Sequence, residues 1–508
     1  MDEKILAAAR AAFPSDAAAI TLGSIVHDGE SHAEPIARVP LAMLTRHGLV
    51  AGATGTGKTK SLQLMAEQLS AAGVPVFVAD IKGDVSGIAA PGESSARVTQ
   101  RATETGYAWK ATSFPAEFLS LTGALGAQLR ATVSSFGPIL LAKVLDLNET
   151  QTSVLAMVFK YADDRGLLLL DFGDLRAVLQ HLSGDGAADL AEYGGMSKQT
   201  VGVLLREMIE LEQQGAGVFF GEPEFDLGDL MRQTSDGRGI VSVLELRDVQ
   251  DKPALFSTFM MWMLARLYNT LPEAGDLDKP KLVFFFDEAH LLFDGASKAF
   301  EEQVERVVRL IRSKGVGVFF VTQSPKDVPA DILGQLGNRV QHALRAFTPD
   351  DEKALRAAAR TFPKTPFYDV PGTLTSLGIG EAFVTVLNAS GSPTPPFAVR
   401  MVPPSSRMGP LTDVEMQQQL RASLQVGEYA KAVDRESARE MLAARSASAA
   451  AADEQPPVEY EPASRARAAK EPPSVLAQVL KSPMARTVAG AVTRGLMGAL
   501  LGSTRRRR

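Results

Sequence analysis

The residues best equipped for chemistry are Gly52, Ala53, Thr54, Gly55, Thr56, Gly57, Lys58 and Thr59, a run with the pattern G-x-x-x-x-G-K-[ST]. Glycines at 52, 55 and 57 let the backbone curl until its N–H groups converge on phosphate oxygens, and the start of a helix adds its positive end. Lys58 would neutralise β and γ phosphates, and the Thr59 hydroxyl would reach a magnesium ion that bridges them. Lys60 ends the run of positions expected to touch the nucleotide. The flanks are the required ones, an apolar strand before the loop and a helical pattern after it.

A second apolar run, Lys281 to Phe286, ends in two adjacent carboxylates, Asp287 and Glu288. Beside a phosphate loop, Asp287 suits a magnesium ion held through its water shell. Glu288 suits the base that polarises the attacking water, a task set by position more than by a shifted pKa. Gln323 follows the apolar run Val316 to Thr322, where its amide would sense the γ-phosphate or orient the water. A plain turn before Ser324 and Pro325 is the other reading of Gln323. Asp80 to Asp84 follows the run Pro75 to Ala79 and is either an ordinary turn or part of the strand-end edge where ligands gather. Arg339 and Arg345 are both candidates for an arginine finger, with a surface or packing role as the alternative for each. His290, next to the acidic pair, reads as a satisfied structural histidine, with coupling of hydrolysis to motion as the alternative, and the six histidines have no zinc-binding spacing. The residues together predict ATP hydrolysis with Mg2+.

The elements that must position these groups read as α/β. Strand-like runs at Gly48 to Ala51, Pro75 to Ala79, Ile240 to Leu246, Leu282 to Phe286 and Val316 to Thr322 alternate with helical patterns, which predicts a mainly parallel sheet. The first helix is expected from Gly57 to about Ala72, with Leu62, Met65, Ala66 and Leu69 facing the sheet. Residues 1–46 form an N-terminal segment with a short helix and a small β remnant. Residues 47–106 and 239–403 form the two parts of the core, and residues 107–238 form a helical insertion. Helix Pro253 to Tyr268 returns the chain to the core. A charged helical stretch from about Thr412 to Arg445 opens a linker region over residues 404–473, part of it disordered. Residues 474–508 regain amphipathic spacing and end in four arginines, which suits weak, reversible docking on a membrane or a protein partner. Arg306, Arg309 and Arg312, interleaved with Glu301, Glu302 and Glu305, predict a solvated helix face.

The bulk numbers set limits. A chain of 508 residues with 45% hydrophobic composition fills a large core. The absence of cysteine rules out disulfides, thiol nucleophiles and iron–sulfur clusters, and fits a reducing compartment. Asp2 and Glu3 stand where a signal peptide needs positive charge, and no stretch of about 20 apolar residues appears, so a cytoplasmic location is expected. A formal charge of −6 argues against a basic coat while leaving room for a local basic channel to DNA.

These motifs resemble those of the HerA and FtsK superfamily of additional-strand P-loop ATPases, and within it the YjgR-like family. His47 to Thr59 is similar to the family's strand and Walker A, Asp80 to Asp84 to its second-strand acidic turn, Phe285 to His290 to its Walker B, and Val321 to Ser324 to its sensor strand. The resemblance covers about residues 20–400. It implies a RecA-like sheet with the sensor strand between the Walker A and Walker B strands. It also implies a homo-oligomeric ring, often of six copies, in which an arginine reaches a neighbour's ATP, and translocation of DNA or polypeptide. Ala19 to Arg46 is too short for the full N-terminal barrel of HerA-type motors. Two functions are therefore carried forward: a nucleic-acid motor, and an ATP-dependent switch or scaffold that docks through residues 474–508.

Overall fold

The computed structural model describes residues 3–294, 298–388, 390–433 and 435–453. The chain divides into two compact units, Met1–Ala447 and Ser448–Arg508. Only residues 448–453 of the second unit, the end of a helix, are described. The expected disorder within 404–473 beyond residue 453, and the amphipathic segment 474–508, lie outside the described residues.

The first unit is organised by one mixed sheet. Its strands are β1 (Ala19–His27), β2 (Glu30–Pro40), β3 (Gly48–Ala51), β4 (Val76–Asp80), β5 (Ala116–Ser120), β6 (Ala127–Gln128), β7 (Val241–Glu245), β8 (Leu282–Phe286), β9 (Val316–Thr322), β10 (Asn338–His342), β11 (Glu381–Thr385) and β12 (Phe397–Met401). Their spatial order is β2-β1-β12-β11-β10-β3-β9-β8-β4-β7-β5-β6. Pairing is parallel from β10 through to β6 and antiparallel from β10 out to β2.

Strands β3, β4, β7, β8 and β9 are buried at every position, because helices cover both faces of the parallel part. Their apolar runs are therefore unbroken rather than alternating. Phenylalanine rings meet between neighbouring strands, Phe285 and Phe319 stacked with centroids 5.2 Å apart and Phe77 and Phe284 tilted at 5.1 Å. Helix Lys58–Ala71 covers one face together with Ile5, Ala9 and Phe13, and helix Pro253–Thr270 covers the other.

Three features differ from the expected organisation. The N-terminal hairpin β1–β2 belongs to the same sheet, attached through β12. Residues 107–238 also contribute β5 and β6 to it, so the helical part begins at Val133 and runs through helices Val133–Val144, Glu149–Asp164, Phe172–Ser183 and Lys198–Gln213. Finally, the stretch expected as one charged helix is three, Asp413–Ala422, Leu424–Tyr429 and Ala438–Asp453, the first break falling at Ser423, whose side chain caps the next helix by accepting from Val426 N–H. This segment is packed, since Met416, Tyr429, Ala438 and Leu442 are all buried. The Tyr429 hydroxyl donates to Asp229 at 2.9 Å and Arg130 donates to the Tyr429 carbonyl at 2.9 Å, so residues 404–447 fold onto the unit instead of leaving it.

Candidate active site

The phosphate loop joins β3 to helix Lys58–Ala71. Gly52, Gly55 and Gly57 have φ of 154°, 76° and 117°, conformations that side-chain-bearing residues seldom adopt. At Gly52 a Cβ would also stand 2.5 Å from the His342 Cβ, so no other residue fits. The loop is fastened on both flanks. Gly52 N–H donates to the Thr322 carbonyl of β9 at 3.2 Å, Ala53 N–H to Ala343 at 2.8 Å, and Gly380 N–H to the Thr56 carbonyl at 2.9 Å. The Lys58 ammonium curls back to the Ala53 carbonyl at 3.2 Å. Burial lowers the Lys58 pKa, while Glu288 and Asp287 pull it back up.

Those two carboxylates enter from β8, two strands away across β9. Asp287 is buried, its N–H donating to Ala79 of β4 at 3.2 Å, and burial followed by the charges of Asp80 and Glu288 pushes its pKa to about 7. Glu288 is held in the left-handed region at φ 48°. One of its oxygens accepts from the Lys82 ammonium, and Oε2 lies 3.3 Å from His290 Nδ1 without a hydrogen bond. Burial pushes the Glu288 pKa up, but the Lys82 bond and the charges of Lys82, His290 and Lys58 prevail, and the net shift is downward. Lys82 reaches this position because Asp80 caps its own turn, accepting from the N–H groups of Gly83 at 2.8 Å and Val85 at 2.8 Å. At the end of β9, the Gln323 amide oxygen stands 3.5 Å from the Thr54 hydroxyl. Ala53, Thr54, His290, Gln323, Arg345 and Phe347 all line one cleft of about 1080 Å³.

Residues 26–508 match the helicase HerA-like C-terminal family. The chain belongs to that family. It is 28% identical over 163 residues to the DNA double-strand break repair helicase HerA of Sulfurisphaera tokodaii, a match covering 32% of each chain. It is 34% identical over 115 residues to a probable helicase of Methanocaldococcus jannaschii, covering 22% of this chain and 21% of the relative. The matches thus span about a third or less of these curated relatives. Among solved structures, the unbound bacterial conjugative coupling protein TrwB is 16% identical with a TM-score of 0.50, covering 79% of this chain and 91% of that one. The plasmid coupling protein TrwB in complex with the GTP analogue GDPNP is 14% identical, also at a TM-score of 0.50, covering 78% and 99%. These likenesses show the fold, and β9, the strand expected to carry the sensor, lies between β3 and β8 as the family resemblance implied.

The remaining candidates of the HerA-like chain separate clearly. Arg345 lines the cleft and donates to the Thr375 carbonyl at 3.0 Å. Arg339 is half-buried, faces Leu49 in register, and spends its guanidinium on the carbonyls of Leu333, Leu336 and Thr361 at 3.3–3.5 Å, so it is placed for packing and not in the cleft. Thr59 and Lys60 are half-buried at the helix start, and Lys60 lies on the side of Asp84, Asp80 and Asp287. Arg306 and Arg309 are exposed on helix Lys298–Ile311, as a solvated face requires, whereas Arg312 lies in the turn after it and is half-buried. Among the described residues no group of three acidic or histidine side chains could hold a metal by itself, so a cation here would need ligands from a phosphate. No helix among them is long and apolar enough to cross a membrane.

Lys82 and His342 were not foreseen, since nothing in their local sequence signals a tertiary contact. His342 is fully buried behind the phosphate loop. Its Nδ1–H donates to the Glu381 carbonyl at 2.8 Å, so Nε2 accepts from the Ser61 hydroxyl at 2.8 Å, and burial drives its pKa down to about 4. The unfolded chain takes up this proton near the usual 6.5 and the folded chain only near 4, so the stability the neutral ring contributes is lost as pH falls through that window. The raised pKa values of buried Glu67, Glu245 and Asp287 act in the opposite direction, which makes a difference measurement the clean one. His342→Asn should be less stable than the parent at pH 7, with a gap that narrows by about 2 kcal/mol at pH 5 in urea unfolding. An unchanged gap would show that the ring is charged in the folded state.

Proposed function

We propose that this HerA-like chain hydrolyses ATP with Mg2+, the loop amides of residues 52–59 and the Lys58 ammonium holding the phosphates. The observation that carries this reading is convergence. Phosphate loop, Gln323 and acidic pair follow the ends of the adjacent parallel strands β3, β9 and β8, Thr54 meets Gln323, and the charges of both carboxylates act on Lys58. The residues fit the nucleotide: a Cβ at Gly55 would meet nothing within 4 Å, leaving the loop open to a ligand, and Glu288 Oε2 is a buried acceptor without a hydrogen-bond partner. Thr59 and Asp287 would hold the magnesium ion, which neutralises phosphate charge when bound. Glu288 accepts the proton of a water at its free oxygen, and Gln323 orients that water. Arg345, open to the same cleft as the loop tip, is the better finger, whereas Arg339 is committed to carbonyls.

We further infer a cytoplasmic nucleic-acid motor, supported by the family and by the repair-helicase name of the Sulfurisphaera tokodaii relative. Duplex DNA should raise the ATPase rate several-fold, and the stimulation should fall steeply between about 50 and 200 mM salt as counterion release weakens binding. Mass measurement with and without ATP reads the ring. No stimulation by any nucleic acid, together with vesicle binding that disappears on deleting residues 474–508, would favour the switch or scaffold.

A further inference from the structure

Under the ATP reading the phosphate loop has a direction. Its tip, Ala53 and Thr54, opens on Gln323 and the cleft, the end for the terminal phosphate. Thr56, Gly57 and the helix start serve the phosphates nearer the sugar, so sugar and base leave over that flank. The structure places the turn Gly378–Gly380 there, just before β11. Gly380 N–H donates to the Thr56 carbonyl at 2.9 Å, and a Cβ on Gly57 would stand 3.4 Å from the Gly380 Cα.

The turn is fixed from several sides. Arg101, half-buried on helix Ala96–Thr105, donates to the carbonyls of Gly380 at 2.9 Å and Ile379 at 3.1 Å. Gly380 adopts φ 73°, its carbonyl accepts from Met401 N–H at 2.9 Å, and Gly378 N–H donates to Glu381 at 2.9 Å. On this braced turn the Ile379 side chain is 72% exposed. A lone exposed isoleucine is ordinary on a protein surface. This one is carried on a turn hydrogen-bonded to the phosphate loop through Gly380, on the side where the base departs.

The geometry points to Ile379 as the platform on which the nucleotide base rests, with Arg101 as the positioning residue that holds the turn. This deepens the ATP reading and rests on it. An aliphatic side chain packs against the flat face of a base and offers neither donor nor acceptor, so the ligand class is a nucleoside triphosphate, with no selection between adenine and guanine at this contact. The test is calorimetric titration of the full chain with ATP, GTP and inorganic triphosphate. Ile379→Ser should weaken ATP and GTP alike by roughly five- to tenfold and leave inorganic triphosphate unchanged. Arg101→Met should weaken ATP and GTP more than inorganic triphosphate, with a smaller loss for triphosphate because the turn also fastens the phosphate loop through Gly380. Parent-like ATP affinity in Ile379→Ser, or an equal loss for triphosphate, overturns the platform and leaves the phosphate site standing. A parent that binds neither ATP nor triphosphate overturns both readings.

Discussion

The Glu288→Gln protein should bind ATP as the parent does and turn it over about a hundred- to ten-thousand-fold more slowly. The replacement keeps the size and the acceptor oxygen but removes the negative charge that takes a proton from water. The fold should tolerate it. Lys82, the partner that loses its counter-charge, has a side chain 48% exposed to solvent, and the left-handed backbone at 288 is no harder for glutamine than for glutamate. Single-turnover assays with radiolabelled ATP separate chemistry from binding. Parent-like turnover in this variant would remove Glu288 as the base and leave Asp287 or a residue of another copy to be sought.

Lys58→Ala should lose ATP affinity by about a hundredfold or more. Within the chain the ammonium has a weak arrangement, curled to one carbonyl, buried, and steadied at a distance by Glu288 and Asp287. A triphosphate would offer it charge-assisted bonds in a site that excludes most water, the setting in which such pairs are strong. Thermal unfolding with saturating Mg-ATP reads the effect. Ligand at a hundred times its Kd stabilises the parent by about 2.7 kcal/mol, and the variant should show almost none of that gain at the same concentration. An equal ATP-induced shift in parent and variant would show that nucleotide binds elsewhere.

Both experiments concern residues legible in the sequence, and the reason lies in where they sit. Central strands covered on both faces have to be apolar throughout, so Leu282 to Phe286 and Val316 to Thr322 announce themselves, and the polar residues after them stand out as strand-end chemistry. Strand β10 is different. Asn338, Gln341 and His342 are polar yet buried, and Asn338 and His342 are satisfied by partners far away in the chain, as when the Asn338 amide donates to the carbonyls of Met43 at 3.0 Å and His47 at 2.9 Å. No local pattern contains such bonds. The same limit kept Arg339 and Arg345 equivalent until their places along β10 and beyond its end were known. It also hid Lys82 inside an acidic turn whose interest appeared to lie in its aspartates. Strand β5 escaped because only Phe118 and Leu119 in its five residues are strongly apolar, too short a run for periodicity to speak.

The two margins of the sheet carry a consequence for how copies of the chain can meet. At one margin β6 is two residues long; at the other β2 carries Glu30, Glu34, Arg38 and a proline at 35, with helix Ala96–Thr105 packed nearby and the Ser31 hydroxyl engaged with Glu104. The shortness of β6 and the charges and proline on the eleven-residue β2 blunt both rims against the addition of a foreign strand. Neighbouring copies would therefore touch through side chains on helices and turns, a kind of seam that can open and re-form without any backbone ladder being unstitched.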